Sequence, residues 1–359
     1  MLGAVVGIVL VLTAGGLVGR AAWLVYAGAG APSATDQGPS NPGHVVPGTP
    51  RIGEIDVSPA SENEKVGVVT ILTDLYYDAT SQAAGTGSVL TADGKVLTNN
   101  HVIEGSTYIE VTVESTGDTY DAVVLGTDKT NDVALLQLQD AEHLETVDID
   151  YDEVEVGDSV ASIGNAKGTG DLVTARGVVT ATDEPLTIGD GYGGDTFESL
   201  TGLIEIDADV VSGDSGGPLV DDDGDVIGMV TAASSGSNDI RGYAITIGDA
   251  MAIVKQIRSG EATDTVHIGP TAFMGVTLAD EQGEGGVTLD GTITDTPADK
   301  AGLVAGDTIT SVDGAAVSTV EELKAIVRSH DPGDEIHVKY TDAGGTSHTV
   351  TLTLTEGPA

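Results

Sequence analysis

The sequence predicts a mostly β protein with a small α+β module at its C-terminal end and an apolar helix at its N-terminal end. Three observations lead to this prediction. Short β-branched runs separated by Gly, Asp and Asn turns extend over residues 66–247, helical patterns are confined to a few later segments, and residues 2–19 contain no charged side chain. A chain of 359 residues is also long enough for more than one domain.

Residues 1–31 are expected to form a transmembrane anchor or an uncleaved signal. The uncharged stretch would measure about 27 Å as a helix, just short of the hydrocarbon thickness of a bilayer. Trp23 and Tyr26 suit the membrane interface. A cleaved signal peptide remains the alternative, because residues 29–31 are small, although the usual basic n-region is missing.

Residues 32–61 hold six of the 12 prolines among Gly, Ser, Thr and Asn, which predicts a flexible linker. The β-rich region that follows, residues 62–260, is expected to be one domain of barrel or sandwich type. Its last element is a predicted helix with Asp249 as N-cap and Gly260 as the stop signal.

The C-terminal module is expected to span residues 268–356. It mixes strands with two helical signals, at residues 297–302 and 320–330. Thr319 and Glu322 form a predicted capping box at the start of the second helix.

The composition excludes several functions without naming one. Lys and Arg total 14 against 57 Asp and Glu, a formal net charge of −43, which argues against a nucleic acid partner. Cys is absent, so disulfides, thiolate metal sites and cysteine nucleophiles are excluded. The His residues other than His101 lie in polar or linker-like contexts without ligand spacing, so we expect no metal site and no other cofactor.

Three segments carry residues suited to chemistry. Glycines on both sides of Ser215, in residues 213–219, allow a tight turn that exposes a nucleophile and aims backbone N–H groups at an oxyanion. His101 lies in an otherwise apolar stretch, and Asp132 directly precedes a buried-looking strand. Taken singly, these segments can also be a bare turn, a core histidine and an ordinary turn carboxylate.

Together the segments place His, Asp and Ser in the order found in chymotrypsin-like proteases. Their flanks resemble the HtrA (DegP-like) family, in GTGSVLTADGKVLTNNHVIEG, NDVALLQL, SGDSGGPLVDDDGDVIGMVTAA and GYAITIGDAMAIVKQI. The resemblance covers residues 62–356 and implies a chymotrypsin-like double β-barrel for the β-rich domain.

The resemblance also implies a role for each residue of the triad. His101 is expected to act as general base and then general acid, Asp132 to orient the imidazole, and Ser215 to be the nucleophile. The backbone N–H groups of Gly213 and Ser215 are expected to form the oxyanion hole. Asp214 stands where the family usually has Asn, a departure that is not expected to disturb the hole.

The specificity pocket is implied in the same way. Val210, Ala232 and Ala233 match positions that line the primary pocket in HtrA relatives and suit a small or medium aliphatic residue. Asp209 lies six residues before Ser215, the offset at which trypsins place their pocket-floor Asp. A preference for basic residues therefore remains the alternative.

The C-terminal module resembles a PDZ domain of the HtrA type. Residues 273–276 match the carboxylate-binding loop, residues 299–303 the short helix, and residues 306–314 the strand and turn with the GD-x-I-x-x-V-x-G pattern. A purely structural appendage is the alternative. The expected peptide-binding residues are Phe273, Met274, Gly275, Val276, Leu323, Ile326 and Val327.

The function that follows from the resemblance is an ATP-independent serine endopeptidase that cleaves misfolded or regulatory proteins. A single N-terminal helix is expected to hold it in a bacterial cell membrane, with both domains outside the cytoplasm, and the PDZ groove to capture C-terminal segments. HtrA relatives are often homotrimers, which is the expected oligomer. The alternative is a non-catalytic PDZ-bearing chaperone or binding protein.

Overall fold

The computed structural model describes residues 12–13, 57–189, 197–235, 240–279 and 285–359. It contains two antiparallel β-barrels and an α+β module, so the predicted mostly β fold with a chymotrypsin-like double barrel is confirmed.

The first barrel is closed by six antiparallel strands in the order β4-β3-β6-β7-β8-β5, with β5 pairing back onto β4. Alternate side chains are buried along most of β3, whereas β5 and β8 are buried almost throughout, and the buried side chains fill the interior. The strands are β3 (Val68–Leu75), β4 (Asp78–Thr91), β5 (Lys95–Thr98), β6 (Ser106–Val113), β7 (Asp118–Asp128) and β8 (Val133–Leu138). A one-turn helix, α1 (Asn100–Ile103), follows β5.

The second barrel has six strands in the order β11-β14-β13-β12-β9-β10, closed by β10 pairing with β11. The strands are β9 (Ser159–Gly164), β10 (Val173–Gly189), β11 (Phe197–Ile206), β12 (Pro218–Val220), β13 (Val226–Ser235) and β14 (Ile240–Thr246). A 3-10 turn, Ala166–Gly168, follows β9. A cluster of buried side chains from both barrels includes Leu97, Leu135, Ile163 and Met229 and joins the two halves.

The domain ends in helix α2 (Ile247–Ser259), whose buried side chains include Ala250, Val254 and Ile257. The prediction that Asp249 caps this helix is wrong. Thr246 is the N-cap, because its side chain accepts the backbone N–H of Asp249. Gly260 ends the helix in the left-handed conformation, as the stop signal predicted.

The C-terminal module has its own core, which includes Met274, Leu289, Leu323 and Ile336. Its main sheet has the order β17-β18-β19-β21-β22. Helix α4 (Val320–Arg328) begins with the predicted capping box, in which the Thr319 side chain accepts the Glu322 N–H and the Glu322 side chain accepts the Thr319 N–H. The elements from α2 onward are β15 (Val266–Ile268), β16 (Ala272–Phe273), β17 (Val276–Leu278), β18 (Val287–Thr292), α3 (Pro297–Lys300), β19 (Thr308–Val312), β20 (Ala315–Ala316), α4 (Val320–Arg328), β21 (Glu335–Thr341), β22 (Ser347–Thr353) and β23 (Thr355–Glu356).

The predicted linker does not extend to residue 61. Val57–Pro59 form strand β2, which pairs with β10, and Ala60 is buried. A proline is tolerated there because β2 lies at the edge of its sheet. The last residues assigned to the linker are therefore part of the second barrel.

Most of the predicted anchor and linker lies outside the described residues. Of residues 1–31 the structure describes Leu12 and Thr13, which form strand β1 and pair with Gln82 and Ser81 of β4. In the part of the chain that is described, no helix has the length and apolar character needed to cross a membrane.

Candidate active site

His101 and Asp132 meet at the ends of two neighbouring strands of the first barrel. His101 lies on α1, directly after β5, and Asp132 lies in the turn before β8, where β5 and β8 are paired. Asp132 Oδ2 lies 2.8 Å from His101 Nδ1, and Asp132 Oδ1 accepts the His101 backbone N–H at 2.9 Å. A carboxylate only accepts, so Nδ1 carries the proton and Nε2 is left to act as a base.

The backbone of Asp132 is held in place as well as its side chain. Asp132 has a left-handed φ of +54°, a conformation that Asp tolerates better than most residues. Asn99 Nδ2 donates to the Asp132 carbonyl at 2.9 Å, so the residue that precedes α1 fixes the turn that carries the carboxylate.

Thr231 of β13 connects this pair to Ser215. Its hydroxyl donates to Asp132 Oδ2 at 2.5 Å, and its carbonyl accepts from Ser215 Oγ at 3.3 Å. The structure thus brings the three predicted triad residues to one site, at the interface of the two barrels. The Ser215 hydrogen bond is long for an O–H···O contact, so it holds the hydroxyl only weakly.

The predicted oxyanion hole lies in the turn before β12. The peptide group between Ser212 and Gly213 contains the Gly213 N–H, and its carbonyl oxygen accepts the Lys167 N–H at 2.6 Å. The peptide group between Asp214 and Ser215 contains the Ser215 N–H, and its carbonyl oxygen accepts the Gly217 N–H at 2.9 Å. The carbonyl and N–H of a trans peptide point in opposite directions, so both peptide planes are fixed. Neither Gly213 N–H nor Ser215 N–H donates to another described residue.

Glycine is required at position 213. Its φ of +98° is unfavourable for other residues, and a Cβ there would lie 2.0 Å from Asn165 O. Glycine at this position therefore allows the turn to pack closely against Asn165, which follows β9.

Asp214 carries a buried carboxyl group that the triad does not use. The residue is 1% exposed. Its Oδ2 accepts the Val211 N–H at 2.8 Å, and its Oδ1 has no hydrogen-bond partner among the described residues. Burial raises the pKa of Asp214 from its ordinary value of 3.8 to about 7, although the bond from Val211 works in the opposite direction.

We expect Asp214→Asn to stabilise the protein more at pH 8 than at pH 5. Because the pKa of Asp214 is raised in the folded state, ionisation of its carboxyl group destabilises the fold. This destabilisation grows from about pH 4 to pH 7 and is constant above that, at about 4 kcal/mol at most. Asn can keep the bond from Val211 without a charge. The gain at pH 8 should exceed the gain at pH 5 by about 3 kcal/mol, measured by urea unfolding in a Ser215→Ala background.

Asp222→Asn is the matched control, because Asp222 is exposed and lies outside the turn. As the substitution of an exposed side chain, it should change the free energy of unfolding by no more than about 0.5 kcal/mol. An equal gain from Asp214→Asn at both pH values would show that the buried carboxyl does not titrate in this range.

Val210 and Asp209, two residues of the predicted specificity pocket, differ in their burial. Val210 is buried in the second barrel, where a Cβ on Gly242 would lie 2.6 Å from its Cγ2. Asp209 is partly exposed. Ala232 and Ala233 lie on β13, opposite Tyr243 and Gly242 of β14, and their side chains are outside the described set.

The predicted peptide groove lies beside β17. This strand ends its sheet, and β18 is its one paired neighbour among the described strands. Gly275 has a φ of +82°, and a Cβ there would lie 2.1 Å from Thr296 Oγ1, so only glycine fits. The N–H groups of Met274 and Gly275 donate to no other described residue.

The apolar residues predicted for this groove belong to the core of the module. Met274, Leu323 and Val327 are buried, and Val276 and Ile326 are partly buried against them.

Phe273 differs from these residues, because its ring stacks on Tyr77 of the first barrel at a centroid distance of 5.5 Å. Tyr77 also donates to the Glu356 carbonyl at 3.0 Å. Phe273, one of the residues predicted for the groove, therefore contacts the first barrel.

Two residues near the triad were missed by sequence reasoning. Thr231 and Thr86 both lie within strands, where a threonine is an ordinary residue. Nothing in the local pattern distinguishes them, because their partners are distant in the chain. No group of three or more His, Asp or Glu residues within the described ranges could hold a metal ion.

Family models match both folded parts of the chain. Residues 85–229 match the trypsin-like peptidase domain, and residues 272–354 match the PDZ domain.

Curated relatives cover most of this chain. The periplasmic serine endoprotease DegP of Escherichia coli (strain K12) is 34% identical over 266 residues, which are 71% of this chain and 53% of that protein. The probable periplasmic serine protease do/HhoA-like of Haemophilus influenzae is 34% identical over 283 residues, 75% of this chain and 58% of that protein. The chain therefore spans little more than half the length of these relatives.

Solved structures with a similar arrangement include the HtrA-type protease AlgW with a decapeptide, with a TM-score of 0.46 and 24% identity over 84% of this chain and 100% of that one. A serine endoprotease from Yersinia pestis gives a TM-score of 0.46 and 27% identity over 83% of this chain and 99% of that one.

Proposed function

Because the chain belongs to the HtrA family, in which a trypsin-like peptidase domain precedes a PDZ domain, we propose that it is an ATP-independent serine endopeptidase acting on misfolded or regulatory proteins. The observation that carries the proposal is the chain of hydrogen bonds from Ser215 through Thr231 to Asp132 and on to His101. The four residues come from separate segments, and a purely structural role would not require their convergence.

The proposed reaction is acyl transfer. Ser215 Oγ attacks the carbonyl carbon of the scissile peptide while His101 Nε2 takes its proton. The negative charge that develops on the carbonyl oxygen is stabilised by the N–H groups of Gly213 and Ser215. His101 then gives its proton to the leaving amine, and a water molecule hydrolyses the acyl-enzyme by the same steps. Asp132 keeps the imidazole in the required tautomer and stabilises its cationic form.

A fluorophosphonate probe tests this proposal against a non-catalytic chaperone. The probe should label the full chain at Ser215, mapped by mass spectrometry, and labelling should disappear in His101→Ala. A chain that binds unfolded protein without being labelled would support the chaperone.

We place the two domains outside the cytoplasm of a bacterial cell, as in the periplasmic relatives, with the N-terminal segment as anchor. The apolar run of residues 2–19, followed by a Pro-rich linker, supports this location. Protease added to intact spheroplasts should digest both domains, and full protection would contradict the proposal.

The proposed homotrimer can be tested by light scattering of the purified chain, which should give three times the mass of 36.1 kDa.

We propose cleavage after a small or medium aliphatic residue, because Val210, Ala232 and Ala233 match positions that line the primary pocket in HtrA relatives. Cleavage sites in an unfolded protein, mapped by mass spectrometry, test this preference. Predominant cleavage after Lys or Arg would instead assign Asp209 to the pocket.

The proposed peptide groove should bind a free C-terminal carboxylate. A ligand's C-terminal segment would add as a strand to the edge of β17 that has no partner among the described strands, and its carboxylate would meet the N–H groups of Met274 and Gly275, which donate to no other described residue. A peptide ending in Val should bind the Ser215→Ala full chain about tenfold more tightly than its C-terminal amide, measured by calorimetry. Because the groove relies on backbone N–H groups, the affinity should depend only weakly on salt.

Gly275→Ala provides a second test of the groove, since its Cβ would force the loop away from Thr296. It should reduce binding of the acid to the level of the amide. Equal binding of acid and amide by the unsubstituted groove would rule out carboxylate capture.

A further inference from the structure

Thr86 contacts the catalytic turn from the opposite barrel. It lies on β4 of the first barrel and is fully buried. Its backbone N–H donates to Ser215 O at 2.9 Å, and its hydroxyl donates to Gly213 O at 2.7 Å. One residue therefore holds the carbonyls of the nucleophile and of the glycine expected to bind the oxyanion.

The direction of the hydroxyl bond is determined by its second partner. The backbone N–H of Asn165 lies 2.9 Å from Thr86 Oγ1, and an N–H group can only donate. The hydroxyl proton is thus left for Gly213 O. Asn165 also lies against Gly213, where its carbonyl excludes any Cβ.

Thr86 is connected to the histidine side of the site as well. Thr98 Oγ1 donates to Thr86 O at 2.7 Å, and Thr98 ends the strand that leads into α1. All the hydrogen-bonding groups of Thr86 are therefore used, and they connect β4 to Thr98, to Asn165 and to the catalytic turn.

We propose that the Thr86 hydroxyl is a positioning group for the oxyanion hole, which keeps Gly213 in the conformation that presents its N–H to the substrate. The inference rests on the proposed endopeptidase function. Lys167 fixes the peptide before Gly213, and Thr86 fixes the peptide after it. Glycine has more accessible conformations than any other residue, so a residue at this position needs restraint on both sides.

Removal of the hydroxyl should release the peptide that follows Gly213 and leave this glycine restrained on one side only, while the rest of Thr86 stays in place. Thr86→Val has nearly the same shape and keeps both backbone hydrogen bonds. It leaves the Gly213 carbonyl and the Asn165 N–H buried without a hydrogen-bond partner. Because unpaired buried polar groups are unfavourable, we expect the turn to rearrange. Thr86→Ser keeps the hydroxyl.

The control is Thr73→Val. Thr73 is also fully buried in the first barrel, and its hydroxyl donates to the Ala83 carbonyl at 3.4 Å, away from the catalytic turn. A general loss of stability would affect both Val variants, whereas a loss of oxyanion binding would affect only Thr86→Val.

The experiment measures kcat and KM of the full chain on a peptide anilide ending in Val, at a temperature at which circular dichroism shows each variant to be folded. We expect Thr86→Val to lower kcat about 100-fold with little change in KM, as when an oxyanion donor is lost. Inhibition by the matching peptide aldehyde, which forms a tetrahedral adduct, should weaken in parallel. Thr86→Ser and Thr73→Val should stay within about threefold of the unsubstituted chain. Should Thr86→Val fail to fold, Thr86→Cys replaces it, with a smaller expected loss because a thiol is a weak donor.

A kcat for Thr86→Val equal to that of Thr73→Val, or a loss in Thr86→Ser as large as in Thr86→Val, would overturn the inference. Either result leaves the endopeptidase function standing, because the unsubstituted chain is still active. An inactive unsubstituted chain would instead refute the proposed function on which the inference rests.

Discussion

Ser215→Ala and His101→Ala should each reduce turnover of a peptide substrate by about 10⁶-fold, because nucleophile and base act as one unit. Without Ser215 there is no acyl-enzyme, and without His101 nothing takes the proton from the hydroxyl. The double variant should be no less active than either single variant, since the second substitution removes a group that has already lost its partner. Steady-state kinetics on a peptide anilide tests this prediction. A high enzyme concentration is used so that residual rates can be detected.

Ser162→Ala and His348→Ala are matched controls. Ser162 is buried with no hydrogen-bond partner for its hydroxyl among the described residues, and His348 pairs with Asp342 on the C-terminal module. Both should retain near wild-type rates. Comparable retention in Ser215→Ala would mean that another group performs the chemistry.

Asp132→Asn is expected to lower kcat by about 10⁴-fold with the fold intact. Asp132 accepts hydrogen bonds from His101 N–H, His101 Nδ1 and the Thr231 hydroxyl. An amide cannot accept all three, because one of its two heavy atoms is a donor. The imidazole then takes the wrong tautomer, with its proton on Nε2, and cannot act as a base towards Ser215.

Glu205→Gln is the control for loss of a buried carboxylate. Glu205 accepts from Thr180, Arg241 and Tyr243 in the second barrel and has no contact with the triad. It should reduce thermal stability with kcat within about threefold. If Asp132→Asn behaved in the same way, the carboxylate would have only a structural role.

The fold and the triad could be predicted because the segments around His101, Asp132 and Ser215 together resemble those of the HtrA family. Glycines beside Ser215 indicated a tight turn, and the capping box of α4 needs only Thr319 and Glu322. The supporting contacts have no such signal. Thr86 and Gly213 are 127 residues apart, and Thr231 and Asp132 are 99 residues apart. Their contacts exist only because the two barrels pack together.

Boundaries were predicted less well, for local reasons. Thr246 and Asp249 both suit a helix start, and the hydrophobic period alone does not say which of them caps α2. Pro59 suggested a linker, whereas a proline at a sheet edge is compatible with strand β2.

Digestion of casein by the purified full chain, compared with its Ser215→Ala variant, tests the central claim most directly. We predict that the unsubstituted chain cuts casein into peptides without ATP, while the variant leaves it intact over the same period. Casein that stays intact with both proteins, or is cut equally by both, would contradict the assignment of this chain as a serine endopeptidase.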